Sequence, residues 1–341
     1  MSSPREIVLP VFTRLSAVGV ARAVAVLALS IATTAGAQSS RPAIKFNAPQ
    51  WAFPTSMAPN PPAPVDSVTR HHVPGSSETF TVAQALNGFQ VADWFPRTHP
   101  PMPRAVRNGE DPAWRACGFC HLPDGQGRPE NATLSGLSAE YIRAQVRAMA
   151  AKTRLTANPS SPTGSMQQIA SAVPDSDLVT AARYFSKLHL TRRNHVVETA
   201  RAPRTRVAGI LYVRDGSGTE PIAGRLIEVP DDFARHELHD PTITYTAYVP
   251  PGSLARGRRL AATGPGGPTT ACAACHGPQL RGTGLVPAIA GRSPSYLLRQ
   301  LLNFKSGARQ NLAGAPMLLV VEKLSVSDMV GLAAHVGSLA P

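Results

Sequence analysis

Apolar residues recur at helical spacing in two pairs of segments along the chain. One pair carries an i, i+4, i+7 stripe and the other an i, i+3, i+7, i+10 stripe, as amphipathic helices do. The first stripe comprises Ile142, Val146 and Met149 and, in its second copy, Leu297, Leu301 and Phe304. The second stripe comprises Leu178, Ala181, Phe185 and Leu188 and, in its second copy, Met329, Leu332, Val336 and Leu339. Ser138 and Ser293 are N-cap candidates for the first pair, and Pro294 suits a first helical position.

The two copies also keep the same distances between other residues. Gly136 and Gly291 lie at equal distances after Cys117 and Cys272, and so do the tyrosines that follow them, Tyr141 and Tyr296. The separation of Met166 from Asp177 equals that of Met317 from Asp328. We interpret the pattern as an internal duplication. Each copy is predicted to hold a cysteine motif, a loop, a helix, a loop containing Met and a closing helix, so the fold is expected to be mainly α.

Two regions outside the duplication have other patterns. Residues 38–103 are Pro-rich and predict an extended N-terminal arm that packs on the domains through its aromatic side chains. Residues 191–253 hold β-like runs at 207–213, 225–229 and 242–249, with a turn predicted at 215–218. We therefore expect two tandem helical domains, 104–190 and 254–341, joined by a linker with a small β insertion. The insertion either only bridges the domains or forms a docking surface for a partner.

All four cysteines belong to two copies of one five-residue motif. The copies are Cys117-Gly118-Phe119-Cys120-His121 and Cys272-Ala273-Ala274-Cys275-His276, and Cys-x-x-Cys-His is the attachment motif of c-type haem. The two thiols bond covalently to one porphyrin, and the adjacent histidine binds the iron. A four-cysteine zinc site or a thioredoxin-like pair gives no role to the histidine that follows each second cysteine. We predict two covalently attached haem c groups.

An electron-transfer haem needs a second axial ligand, and methionine opposite histidine raises its reduction potential. Met166 and Met317 lie in predicted Gly-containing loops at matching places of the two copies. We therefore predict His121 with Met166, and His276 with Met317, as the iron ligands. The alternative is that these methionines only fill the core, and Met149 is the nearest competitor in the first domain.

An iron-bound histidine usually donates its second ring nitrogen to a backbone carbonyl, which orients the ring. Pro287, in the Val286-Pro287-Ala288 segment of the loop after His276, is well placed to accept this hydrogen bond. The first domain has Ala132 at the equivalent position, with Pro129 shortly before it. That loop is expected to differ, so only Pro287 is predicted in this role.

The N-terminal sequence and the net charge indicate the expected compartment and the expected kind of partner. Residues 1–37 have the layout of a secretory signal peptide, with arginines, a short apolar run at 23–32 and Ala-Gly-Ala at 35–37. The bacterial periplasm is the expected compartment, and an uncleaved membrane anchor is the alternative. The formal net charge is +13, but no run of Lys and Arg with interleaved aromatic residues is present, so nucleic-acid binding is not expected. An acidic redox partner or a neighbour at a membrane surface fits the charge better.

The residues named above resemble the class I cytochromes c, specifically the bacterial tandem di-haem type. The most similar stretch runs from Cys272 to Tyr296, through Phe304-Lys-Ser-Gly-Ala-Arg309, to Ala315-Pro-Met317. The resemblance covers about residues 104–190 and 254–340 and implies one covalent haem per domain, His/Met ligation and periplasmic electron transfer. Proteins of this type pass electrons between dehydrogenases or quinol-oxidising complexes and terminal oxidases.

The expected function is electron transfer rather than catalysis. No acid/base pair or Gly-rich phosphate loop lies near either cysteine motif. The alternative is a haem enzyme of the di-haem peroxidase kind, with an open sixth position on the first iron, or an electron-transfer subunit of a dehydrogenase complex. The first domain is the candidate for an open iron for two reasons. The helix before its motif is broken up around Asp111-Pro112, and the loop after His121, its proximal loop, departs from the family pattern.

Overall fold

The computed structural model describes residues 46–56, 64–158, 163–264 and 271–341. All of them belong to one compact unit. The predicted signal peptide, residues 1–37, lies outside the described residues. Within the described ranges, no helix is long and apolar enough to cross a membrane.

The first copy of the duplication is helical, and a short helix precedes it in the arm. In chain order the helices are α1 (Val82–Ala85), α2 (Arg104–Arg107), α3 (Cys117–His121), α4 (Ala139–Ala150), α5 (Thr163–Ala172) and α6 (Asp175–Ser186). The Ser138 hydroxyl accepts a hydrogen bond from the Tyr141 amide and so begins α4 as predicted. The stripe of α6 is buried around Phe185 and packs with Ile142 of α4. Helix α2 is a single short turn, as expected from the broken pattern before the first motif.

The insertion is a small mixed β structure. Its elements are β1 (Asn194–Glu198), β2 (Arg201–Ala208), β3 (Leu211–Pro221), β4 (Ile227–Pro230), helix α7 (Phe233–Glu237) and β5 (Tyr245–Val249). Strand β5 lies between β1, to which it is parallel, and β4, to which it is antiparallel. Strands β2 and β3 form a hairpin. The sheet side of β5 that carries Tyr245, Ala247 and Val249 is buried, which explains the alternating pattern of the run at 242–249.

The predicted turn at 215–218 is wrong. Those residues lie inside β3, where the register with β2 shifts between Pro203 and Thr205, and they form a bulge opposite Arg204. The chain reverses earlier, at Gly209, which has φ 59. Because the residues of a bulge and of a turn have the same composition, only the strand pairing distinguishes the two.

The second copy is also helical. Its helices are α8 (Ser253–Thr263), α9 (Cys272–His276), α10 (Pro294–Lys305), α11 (Ala315–Glu322) and α12 (Val326–Ser338). The Ser293 hydroxyl accepts from the Tyr296 amide, with Pro294 in the first turn of α10, as predicted. Met329 and Leu332 of α12 are buried in a core that also receives Leu302 of α10.

Equivalent ion pairs join the helix before each haem motif to the closing helix. Arg104 of α2 contacts Asp177 of α6 at 2.7 Å, and Arg256 of α8 contacts Asp328 of α12 at 2.8 Å. The two aspartates are the ones that the sequence places at equal distances after Met166 and Met317. Pairs this exposed contribute little stability, but their repetition confirms the register of the duplication.

Both predicted Met-containing loops are wrong, because each methionine lies in the first turn of a helix. Met166 belongs to α5 and Met317 to α11. Gly164 and Pro316 suggested loops. The first turn of a helix has no intrahelical partners for its amide groups, so it tolerates proline and has little need of helix-forming residues.

The arm packs on the insertion through Trp94 and on the second haem domain through Phe53, and only the second contact is the one that its aromatic content predicts. Trp94 is 1% exposed, stacks edge-on against Phe80 with ring centroids 4.8 Å apart, and donates its Nε1 proton to the Leu238 carbonyl at 2.7 Å. Val73 and Ala85 belong to the same cluster. The arm therefore forms part of the described fold rather than a separate tail.

Candidate haem sites

Both cysteine motifs form a single helical turn with the same backbone geometry. Each turn follows an extended alanine, Ala116 with φ −56 and ψ 136 and Ala271 with φ −55 and ψ 143. Each ends at a residue with positive φ, Leu122 at 64 and Gly277 at 74. Residues three apart share one face of a helix, so the two thiols of each motif point to the same side, as one porphyrin requires.

The histidines of both motifs are held in the same way. His121 Nδ1 donates to the Ala132 carbonyl at 2.7 Å, and His276 Nδ1 donates to the Pro287 carbonyl at 2.8 Å. Burial lowers the pKa of both imidazoles although the hydrogen bond opposes it. Each ring is therefore neutral, and its Nε2 keeps a free lone pair for a metal. The contact predicted for Pro287 is present. The expectation of a different loop in the first domain is wrong, because Ala132 accepts the same bond.

Two glycines that sequence reasoning missed make these loops possible. Gly127 and Gly282 lie at equal distances after the first cysteine of their motif and have φ 65 and 85. Their amides donate to the carbonyls of His121 at 2.9 Å and His276 at 2.7 Å. A Cβ on Gly127 would lie 2.6 Å from the Ala132 carbonyl oxygen that holds His121. The matched offset in the two copies was the available signal.

A cavity adjoins His121 of the first haem motif. The apolar lining includes Leu134, Leu137, Ile142, Val146, Met149 and Met166. The predicted stripe of α4 therefore faces this cavity rather than a closed core. A neutral imidazole, an apolar wall and two thiols on one side of the motif fit a covalently attached haem.

The structure brings Met166 and His121 to the same cavity, and Met149 lines it as well. Two thioethers are therefore available at the first site. In the second domain Met317 and Cys272 pack against the same hydrophobic core, together with Leu297 and Leu301 of α10. The equivalent of Met149 there is Phe304, which is buried and has no metal-binding atom.

Burial keeps three of the four thiols protonated. Burial raises the pKa of Cys117 to about 12, and burial also raises the pKa of Cys120 and Cys272. Neutral buried thiols are poor exchange nucleophiles. No group of three or more His, Cys, Asp or Glu side chains converges within the described ranges, which contain all four cysteines. The arrangement does not support a four-cysteine zinc site.

The two sites differ in how their thiol edges are covered. Cys275 is exposed, whereas Cys120 is half-buried. Phe119, between the first two cysteines, contacts the His239 ring of the insertion with centroids 4.7 Å apart. His236, in the preceding helix α7, lies 3.5 Å from Glu130 of the first proximal loop. The insertion therefore packs on the first site and not only between the domains.

Three proteins to which the chain is similar are cytochromes. No protein-family profile matches the chain. Cytochrome c4 of Azotobacter vinelandii is 25% identical over 234 residues, 65% of this chain and 84% of the relative. Cytochrome c-554(547) of Halothiobacillus neapolitanus is 36% identical over 76 residues, 20% of this chain and 84% of the relative. The cytochrome subunit of sulfide dehydrogenase of Chlorobaculum tepidum is 36% identical over 70 residues, 16% of this chain and 64% of the relative.

Proposed function

The chain belongs to the class I cytochromes c, as a tandem di-haem member, and on that premise we propose that it carries electrons between redox proteins in the periplasm. Members of this type carry two covalently attached haem c groups and act in electron transfer. The observation that carries the proposal is the repeated site, in which each Cys-x-x-Cys-His turn has an oriented, neutral histidine.

Each residue of the two sites has a defined task in this proposal. Cys117 and Cys120, like Cys272 and Cys275, would anchor a porphyrin through thioether bonds. His121 and His276 would bind iron through Nε2, with the Ala132 and Pro287 carbonyls holding the rings. Met166 and Met317 would supply the second iron ligand of each site. When bound, each haem supplies an iron that cycles between the ferric and ferrous states.

The apolar walls would keep water away from a bound iron, which would favour the less charged form of the centre and, together with the methionine, set its reduction potential. Leu137 and Ile142 do this in the first site, where both are buried. The carbonyl hydrogen bonds on His121 and His276 also hold these two side chains in place. Both features suit an electron carrier, which binds and releases no substrate at its iron.

The partners are redox proteins, and the relatives include a dehydrogenase cytochrome subunit. We propose a partner with an acidic docking surface, because the chain carries a formal net charge of +13 and opposite charges accelerate encounter. A dehydrogenase, a quinol-oxidising complex or a terminal oxidase would meet that requirement. The positive leader and the Ala-Gly-Ala site at 35–37 support export by a cleaved signal peptide.

Haem counting and intact mass test the proposal directly. Protein purified from the periplasm should start at Gln38 and carry two covalent haems, measured by mass spectrometry and by the pyridine haemochrome assay. A variant with Cys117→Ala and Cys120→Ala should retain one haem, and so should a variant with Cys272→Ala and Cys275→Ala. Fewer than two haems on the wild-type chain would refute the proposal.

A further inference from the structure

Two buried arginines, one from each haem domain, form hydrogen bonds with the opposite domain. Arg154 and Arg309 lie at equal distances after the first cysteine of their motif, and each is 6% exposed. Their backbones pair as an antiparallel bridge. The amide of Leu155 donates to the Ala308 carbonyl, and the amide of Gln310 donates to the Thr153 carbonyl, both at 2.9 Å. The copies therefore meet around a local two-fold axis that passes between the two arginines.

The side chains obey the same symmetry. Arg154 donates to the Tyr296 hydroxyl and to Gln300 Oε1, both at 3.2 Å, in the second domain. Arg309 donates to the Tyr141 hydroxyl at 3.1 Å and to Gln145 Oε1 at 2.9 Å, in the first domain. The two tyrosines occupy equivalent positions of the duplication, and so do the two glutamines. Each guanidinium thus reaches α4 or α10 of the opposite domain.

The positive charges at this interface have no negative partner in the described part of the chain. Arg292, 4% exposed, joins them and donates to the Thr133 carbonyl at 2.8 Å and the Ser135 carbonyl at 3.1 Å. All hydrogen-bond acceptors found for the three guanidiniums are neutral, and none of the three forms an ion pair with a described residue. Burial lowers the pKa of Arg292 to about 10. Buried charges without partners are strongly destabilising, so an anion at this interface would stabilise it.

The unpaired charge lies where the first haem cavity meets the second domain. Arg154 lines the cavity that adjoins His121, and so do Tyr296 and Gln300 of α10. The Nε of Arg309 is buried and has no hydrogen-bond partner among the residues that the structure describes. One wall of the cavity is therefore cationic and contains residues of both domains, and a free donor lies beside it. A guanidinium binds carboxylates strongly through paired hydrogen bonds.

We propose that Arg154 and Arg309 form one shared cationic site that binds carboxylate groups of both haems, so that each arginine influences the reduction potential of both irons. The inference rests on the proposed function, since it requires two haems. A haem carries two carboxylates, which supply the missing negative charge. Reduction adds an electron to a haem and is favoured by nearby positive charge, so a shared site links the two potentials.

The variants Arg154→Gln and Arg309→Gln test whether the site is shared. Each should lower both potentials, with the reduction equilibrium constant of each haem falling about tenfold, or about 59 mV for a one-electron couple. The double variant should shift the potentials by less than the sum of the single shifts, because the two arginines share ligands. Arg147→Gln is the matched control. Arg147 lies on α4, is 57% exposed and pairs with Asp175 at 2.7 Å, so its loss should leave both potentials unchanged.

Each potential is followed in a spectroelectrochemical titration, with the two haems distinguished by their paramagnetically shifted methyl resonances. A shift confined to the haem of one domain, or shifts no larger than those of the control, would overturn the inference. If a glutamine variant does not fold, Arg154→Lys and Arg309→Lys keep the charge but lose the paired geometry. Each should still change both potentials, and a change in one or neither overturns the shared site. The haem count is measured on the same samples, so a failure of the proposed function is seen as missing haem and is distinguishable from unshifted potentials.

Discussion

A backbone carbonyl, not a side chain, orients each haem-binding histidine. Ala132 and Pro287 have different side chains, yet their carbonyl oxygens accept from Nδ1 of His121 and His276 at 2.7 and 2.8 Å. The position of the residue in the loop decides the contact. In both domains a glycine, Gly127 or Gly282, lets the backbone come close to the residue whose carbonyl accepts the hydrogen bond. A proline at this place stiffens the loop but is not needed for the hydrogen bond. The first proximal loop therefore gives no reason to expect an open iron.

Replacing one proposed methionine ligand at a time tests each haem site separately. Met166→Ala and Met317→Ala should each remove one half of the thioether-to-ferric charge-transfer absorption of the oxidised protein. Each should also lower the reduction potential of one haem by at least about 59 mV, which is a tenfold fall in its reduction equilibrium constant. The reason is that a thioether ligand favours the ferrous state. Optical spectra and potentiometric titrations measure both effects.

Met149→Leu is the control for Met166→Ala, because Met149 lines the same cavity. It should leave the absorption and the potential unchanged. Loss of the band in Met149→Leu, with the band retained in Met166→Ala, would make Met149 the ligand. A high-spin first haem in the oxidised wild type would instead favour the enzyme alternative.

At the scale of elements, the second domain depends on the close crossing of α8 and α12. A Cβ on Gly257 of α8 would lie 1.9 Å from the Gly331 carbonyl oxygen of α12. No side chain fits at that distance, so the backbones touch directly. This contact holds the helix before the second haem motif against the closing helix, where Arg256 also pairs with Asp328 at 2.8 Å.

Gly257→Ala should therefore destabilise the second domain. The inserted methyl group forces the helices apart, and overpacking of this kind costs about 1–3 kcal/mol in the free energy of unfolding. Denaturant unfolding followed by circular dichroism measures the change. Gly218→Ala, in β3, is the matched control, because its Cβ would meet only ordinary contacts of 3.8 Å or more. Equal effects of the two substitutions would show that the crossing is not tightly packed.

At the scale of the whole molecule, the arm and the insertion are built onto the haem domains. Trp94 of the arm donates to Leu238 at 2.7 Å, and the next residue, His239, contacts Phe119 of the first haem motif. The arm, the insertion and the first haem site are thereby joined in one chain of contacts. Cys275 of the second motif is exposed, so the two haem sites present different surfaces to a partner.

The net charge of +13 leads to a prediction about electron exchange in solution. Reduced protein should react faster with an anionic oxidant such as ferricyanide than with a cationic cobalt complex of similar driving force. Rising ionic strength should slow the first reaction and speed the second, because salt screens the attraction and the repulsion alike. Stopped-flow kinetics at several salt concentrations measure both rates. The same salt dependence with both oxidants would contradict a positive surface at the electron-exchange site.

The sequence by itself determined the chemistry and the duplication. Covalent attachment of haem needs two thiols and a histidine at fixed spacing, so the sequence alone identified Cys117–His121 and Cys272–His276. Amphipathic helices need apolar residues at fixed spacing, so the sequence also predicted the apolar stripes of α4, α6, α10 and α12. Local spacing also predicted the caps at Ser138 and Ser293 and the contact of Pro287. These features depend on neighbours within a few positions or one loop.

Only the tertiary structure decided which residues meet across long separations. The turn predicted at 215–218 became a bulge because β2 pairs on both sides of it, and the loops predicted around Met166 and Met317 became helix starts. Arg154 and Arg309 are ordinary arginines in the sequence. Their burial between the domains arises from the pairing of segments that lie in different copies of the duplication, and such contacts depend on packing that no local pattern encodes.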